Sequence, residues 1–132
     1  MDWQAALRAR ALADTPLTTL VGTKVTWVSR PQSTALEALT LQTINEERPQ
    51  HMKGFDGLNP ALVQLDAWSA SHAKANAIID AAITALVPAN TANSIRFDRA
   101  FVQRKSDLPA EDEPNSTIFR ASADLMFHYS TA

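Results

Sequence analysis

The chain has 132 residues, 45% of them hydrophobic and 20% charged, with a formal net charge of −2. That balance excludes a disordered or fibrous chain and predicts a single globular domain, residues 1–132, with enough apolar side chain for one core. The lack of cysteine rules out disulfides, thiolate metal sites, iron–sulfur clusters and cysteine nucleophiles, and no Lys/Arg cluster interleaved with aromatics offers a grip on phosphates.

In chain order, Asp2 is placed to cap a helix from Trp3 to about Ala13, with Trp3, Ala6, Leu7 and Ala11 on one face. Residues 15–22 read as one short turn of helix, with Thr15 as cap, Pro16 in the first position and Gly22 as terminator. Val25, Trp27 and Val28 predict a first strand over residues 24–29, closed by Pro31. Leu39, Leu41 and Thr43 alternate with Thr40, Gln42 and Ile44 as a second. Residues 45–60, with two prolines and Gly54 and Gly57, are expected to be a long loop of the kind that carries function or partner contact.

A third strand is expected over residues 61–68, with Val63, Leu65 and Ala67 on one side and Leu62, Gln64, Asp66 and Trp68 on the other. Ser69 or Ser71 can cap the next helix, whose Ala75, Ile78, Ile79, Ala82, Ile83 and Leu86 recur at helical spacing until Pro88. Small alanines suit close packing on a sheet. Residues 95–102 and 118–129 complete the strands, the last alternating Phe119, Ala121, Ala123, Leu125, Phe127 and Tyr129 with polar neighbours. The polar, proline-rich residues 103–117 between them are expected to be an exposed excursion. The order α-β-β-β-α-β-β predicts an α+β fold: a mainly antiparallel β-sheet with two helices packed on one face.

Chemistry is hard to find in these residues. His51, His72 and His128 lack the paired spacing of a metal motif, so no metal site is expected. No Gly-x-Ser-x-Gly elbow is present, and Gly22, Gly54 and Gly57 are too scattered for a phosphate loop. The acidic groups Glu46-Glu47 and Glu111-Asp112-Glu113 fall in stretches that would not desolvate a carboxylate enough to tune it. No catalytic residue, cofactor or enzymatic activity is therefore expected. No stretch approaches the roughly 20 apolar residues that span a bilayer, and residues 1–10 lack the pattern of an export signal, so neither membrane nor export is expected. Trp3, Trp27 and Trp68 read as core or near-core packing or, more pointedly, as interface anchors; for Trp68, on the strand face shared with Gln64 and Asp66, the two readings are even. Phe55 and Leu58 are apolar residues in a polar excursion, which points to self-assembly or another protein partner.

Several strings, in order, carry a resemblance. Asp2-Trp3-Gln4-Ala5-Ala6-Leu7 is followed by Leu20-Val21-Gly22-Thr23-Lys24-Val25-Thr26-Trp27 and Arg30-Pro31-Gln32. Then come Leu39-Thr40-Leu41-Gln42 and Val63-Gln64-Leu65-Asp66-Ala67-Trp68-Ser69, which leads into the alanine-rich helix. Together they resemble the tail-completion family of long-tailed phages, which has relatives in gene transfer agents. Glu37, where a proline is expected, and His72, where an aromatic is common, depart from that pattern.

The resemblance implies a tail terminator similar to that of lambda-like tails, a structural virion protein assembled in the host cytoplasm and placed at the tail-head junction. It implies a homo-hexameric ring that binds the last tail tube ring, ends polymerisation and docks a head-tail connector, with DNA passing through the lumen. A neck protein (stopper or adaptor) is the alternative in the same class, and a small ligand-binding module the alternative outside it. The residues expected to contact partners are Arg48, His51, Lys53, Phe55 and Asp56 in the first long loop, Trp68 on its strand, and Arg104, Lys105, Glu111, Asp112 and Glu113 in the second.

Overall fold

Asp2 opens the first helix as the sequence predicts, its Oδ1 accepting from the Ala5 N–H at 2.9 Å. The helix, α1, is Trp3–Ala13. In this computed structural model residues 2–28, 37–46, 50–51, 54–55, 59–113 and 116–131 are described. The second helix, α2, is Thr15–Val21, and its cap is Asp14 rather than Thr15: Asp14 Oδ2 accepts from Leu17 N at 3.0 Å. A carboxylate one residue upstream satisfies the same orphan amides and suits the positive helix end better than a hydroxyl. Gly22 ends α2 at φ +62°, in the left-handed region that glycine enters without a Cβ penalty.

The remaining elements are β1 (Val25–Trp27), β2 (Ala38–Glu46), β3 (Gln50–His51), β4 (Gly54–Phe55), β5 (Asn59–Ser69), α3 (His72–Leu86), β6 (Asn90–Ala92), β7 (Ile95–Phe97), β8 (Phe101–Glu113) and β9 (Ser116–Thr131). The main sheet runs β1-β2-β5-β9-β7-β6, with β8 also paired to β9. Among the described residues only β1 and β2 pair in parallel; the other ladders are antiparallel. The fold is α+β, as expected.

Strand alternation decides which side is covered. Register pairs Val63 with Leu125, Leu65 with Ala123 and Ala61 with Phe127, so these side chains share one face. All are buried in one cluster with Leu7 of α1 and with Ala75, Ile78, Ile79, Ala82 and Leu86 of α3. Burial of each large side chain there contributes roughly 1.5–3 kcal/mol. Aromatics close one end: Trp3 stacks on Tyr129 at 5.0 Å between centroids and meets Trp27 edge-on at 5.6 Å.

Arg10 is buried beside this core. Its Nη2 donates to the Pro88 carbonyl at 2.7 Å and the Ala85 carbonyl at 3.3 Å, and its guanidinium lies 5.2 Å from the Phe97 ring centroid. A cation at the C-terminal end of α3 meets unsatisfied carbonyls and the negative end of the helix dipole. Burial lowers its pKa from the ordinary arginine value by desolvation.

Three expectations are corrected. Residues 103–117 do not form an irregular excursion, because β8 continues through Glu113 as one arm of a hairpin with β9. The hydrogen-bonding edge of β9 opposite β5 accepts a strand whatever its side chains, and Pro109 sits where the register shifts between Leu108 and Glu111. Residues 45–60 include the end of β2, the small β3–β4 hairpin and the start of β5. Residues 95–102 divide into β7 and the start of β8, and β6 precedes them. The β6–β7 hairpin turns at Asn93 and Ser94, both at positive φ, as a tight turn between twisted strands requires.

Candidate assembly interface

The sheet face turned away from the helices holds a compact polar cluster. Thr40 of β2 pairs in register with Asp66 of β5, and Asp66 with Ser122 of β9. Arg120 Nη2 donates to Asp66 Oδ2 at 2.8 Å, Gln64 Nε2 donates to Asp66 Oδ1 at 3.0 Å, and Trp68 Nε1 donates to Thr40 Oγ1 at 3.0 Å. The Arg120 guanidinium lies 4.6 Å from the Trp68 ring centroid. The two large side chains therefore cover the small ones, and Thr40, Asp66 and Ser122 are buried on a face that no helix covers. Arg120 Nε and Ser122 Oγ are buried without a hydrogen-bond partner among the described residues. Trp68 is half-buried and belongs to this cluster, outside the apolar core.

The β8 strand carries the other described candidates. Arg104 and Lys105 are neighbours in sequence and point to opposite faces, as a strand requires. On the open face Arg104 Nε lies 3.1 Å from Asp124 Oδ2. On the helix side Lys105 Nζ lies 2.6 Å from Asp80 Oδ1 of α3, and Asp107 Oδ2 lies 3.2 Å from His72 Nε2. The contacts of this strand with α3 are thus exposed and polar: the Lys105–Asp80 ion pair and the His72–Asp107 contact.

Glu111, Asp112 and Glu113 lie at the far end of β8, and His51 and Phe55 fall in β3 and β4. Arg48, Lys53 and Asp56 lie outside the described residues. The two positions that depart from the family pattern are both engaged. Glu37 accepts from the Ser69 hydroxyl and lies 4.0 Å from Lys74 Nζ, and His72 also meets Phe119 edge-on at 6.1 Å.

Sequence reasoning passed over the exposed apolar residues Val28, Ile44, Phe101 and Val102. The signal was present in Phe101-Val102, two adjacent apolar residues on a strand: alternation sends them to opposite faces, and only one face has a core. Among the described residues there is no group of His, Asp and Glu side chains arranged to hold a metal, no pocket, and no helix long and apolar enough to cross a membrane.

Residues 5–128 match the family of tail completion protein gp17. The chain belongs to that family. A tail completion protein is a structural component of a phage-type virion tail. Among solved structures the fold is similar to a chain from the virion of a native gene transfer agent particle, with a TM-score of 0.70 at 22% identity, covering 96% of this chain and 93% of that one. No curated protein matches the chain.

Proposed function

We propose that this tail completion protein forms a homo-hexameric ring on the end of the tail tube, terminates tube polymerisation, and presents the head-tail connector with a joining surface while DNA passes through its lumen. The observation that carries this reading is the family match across residues 5–128. The electrostatics agree with a conduit. The formal net charge is −2, and Arg104, Lys105 and Arg120 are each paired with an aspartate of the same chain, which argues against a tight hold on DNA phosphates. The protein acts structurally, as one domain and without catalysis. Its partner contacts are assigned to the β3–β4 segment with Arg48, Lys53 and Asp56, to Trp68, and to the β8 arm.

Light scattering over a wide concentration range, with and without the tail tube protein of the same particle, tests this. A closed hexamer, alone or on addition of the tube protein, is the expected result. A monomer indifferent to the tube protein overturns the reading in favour of a neck protein. The double reversal Arg104→Glu with Lys105→Glu should impair particle assembly and shift the melting temperature only slightly, since exposed ion pairs contribute roughly 0–1 kcal/mol each.

A further inference from the structure

Among the described residues four large apolar side chains are exposed: Val28 at 73%, Phe101 at 57%, Ile44 at 49% and Val102 at 47%. Exposed apolar residues scattered singly mean little. These fall in two pairs. Val28 directly follows β1 and Ile44 lies in β2, at one edge of the main sheet, whereas Phe101 and Val102 open β8, on the other side of β5 and β9. Val28 is also a β-branched residue held at φ +74°, a backbone state such residues seldom enter.

Among the described residues each edge also offers open backbone. The β1–β2 ladder ends at Leu41, and among the described residues no strand pairs the outer side of β2 over residues 42–46. The outer side of β8 likewise carries no strand among the described residues. An open edge flanked by apolar side chains invites another strand. Pro109 lacks an amide hydrogen and sits where the β8 register shifts between Leu108 and Glu111, so the stretch before it is the longer regular run of β8.

We propose that the base of β8 in one copy of this chain adds to the open edge of β2 in the next, with Phe101 and Val102 packing against Ile44 and Val28. The direction fits. β2 is antiparallel to β5, β5 to β9, and β9 to β8, so β8 and β2 already run in opposite senses and the sheet continues antiparallel from copy to copy. Two different half-sites on opposite edges make a head-to-tail contact, which closes into a ring when its rotation permits. A two-fold contact would need one self-complementary patch. This inference rests on the reading of a self-assembling tail subunit and names the surface that joins its copies.

Because the chain has no cysteine, disulfide trapping is clean. The test pairs Phe101→Cys with Ile44→Cys in one chain. Within a copy, β5 and β9 separate these positions by about 14 Å at roughly 4.8 Å per strand, beyond the ~7 Å Cα reach of a disulfide. Mild oxidation in the presence of the tube protein should therefore give a ladder of covalent multimers ending at the closed ring. Phe101→Cys alone and Ile44→Cys alone should stay uncrosslinked, and Phe101→Glu with Val102→Glu should lose assembly while keeping the melting temperature. Dimers from either single variant, or no ladder from the pair, overturn the edge contact. If light scattering still finds a ring in that case, the tail reading stands and only the contact is wrong; if it finds no oligomer with tube protein present, the tail reading fails too.

Discussion

The two neighbours of β9 are held in different ways. On one side β5 pairs with it from Asn59 to Ser69 and buries every second side chain under α1 and α3. On the other side β8 pairs over a similar length, yet its helix-facing Lys105 and Asp107 meet Asp80 and His72 of α3 through exposed polar contacts. One strand is specified by what it buries; the other is specified mainly by the vacant edge of its neighbour. Stability is therefore concentrated in β5 and the core, and β8 is the part that can serve a partner at little cost to the fold.

Truncations should separate the two most clearly. Leu65→Ala, at a fully buried position on β5, should cost about 2–5 kcal/mol in denaturant unfolding. Leu108→Ala, at a half-buried position on β8, should cost about 1 kcal/mol or less. Equal losses would mean that β8 belongs to the cooperative core after all.

The polar cluster on the open face should fall next. Asp66 is buried and holds Arg120 and Gln64, so Asp66→Ala leaves a largely buried guanidinium without its carboxylate and should cost roughly 2–4 kcal/mol. Adding Arg120→Met to Asp66→Ala should recover part of that loss. A double variant no more stable than Asp66→Ala would show that Arg120 is worth more against Trp68 than against Asp66.

The same contrast explains what the residues alone disclosed. β9 was legible because Phe119, Ala121, Ala123, Leu125, Phe127 and Tyr129 alternate without a break, and α3 because its apolar residues keep helical spacing up to Pro88. β8 was not, because its charged residues and Pro109 carry no apolar alternation and its strand state is imposed from β9. The cap of α2 slipped by one residue because Asp14 and Thr15 are both competent and only the fold chooses between them. Trp68 was correctly placed with Gln64 and Asp66, but its partner Arg120 lies 52 residues away, and no local pattern reveals that contact. In the sequence Arg104 and Lys105 read as one charged loop, whereas strand geometry divides them between two faces with two different aspartates.

The smallest predicted effect bears most directly on β8. The Lys105–Asp80 pair is short at 2.6 Å, but both side chains are well exposed, so water and salt screen it and ordering two flexible side chains offsets much of the gain. A double-mutant cycle with Lys105→Ala and Asp80→Ala should return a coupling of roughly 0.2–1 kcal/mol that fades toward zero in 1 M salt, where charges interact over only about 3 Å. Arg104→Ala with Asp124→Ala should behave similarly on the other face, with a coupling at the upper end of that range because Asp124 is the less exposed carboxylate. A coupling of several kcal/mol at either pair, or one indifferent to salt, would show that charge and not the β9 edge holds β8 in place, and the contrast between the two sides of β9 would then collapse.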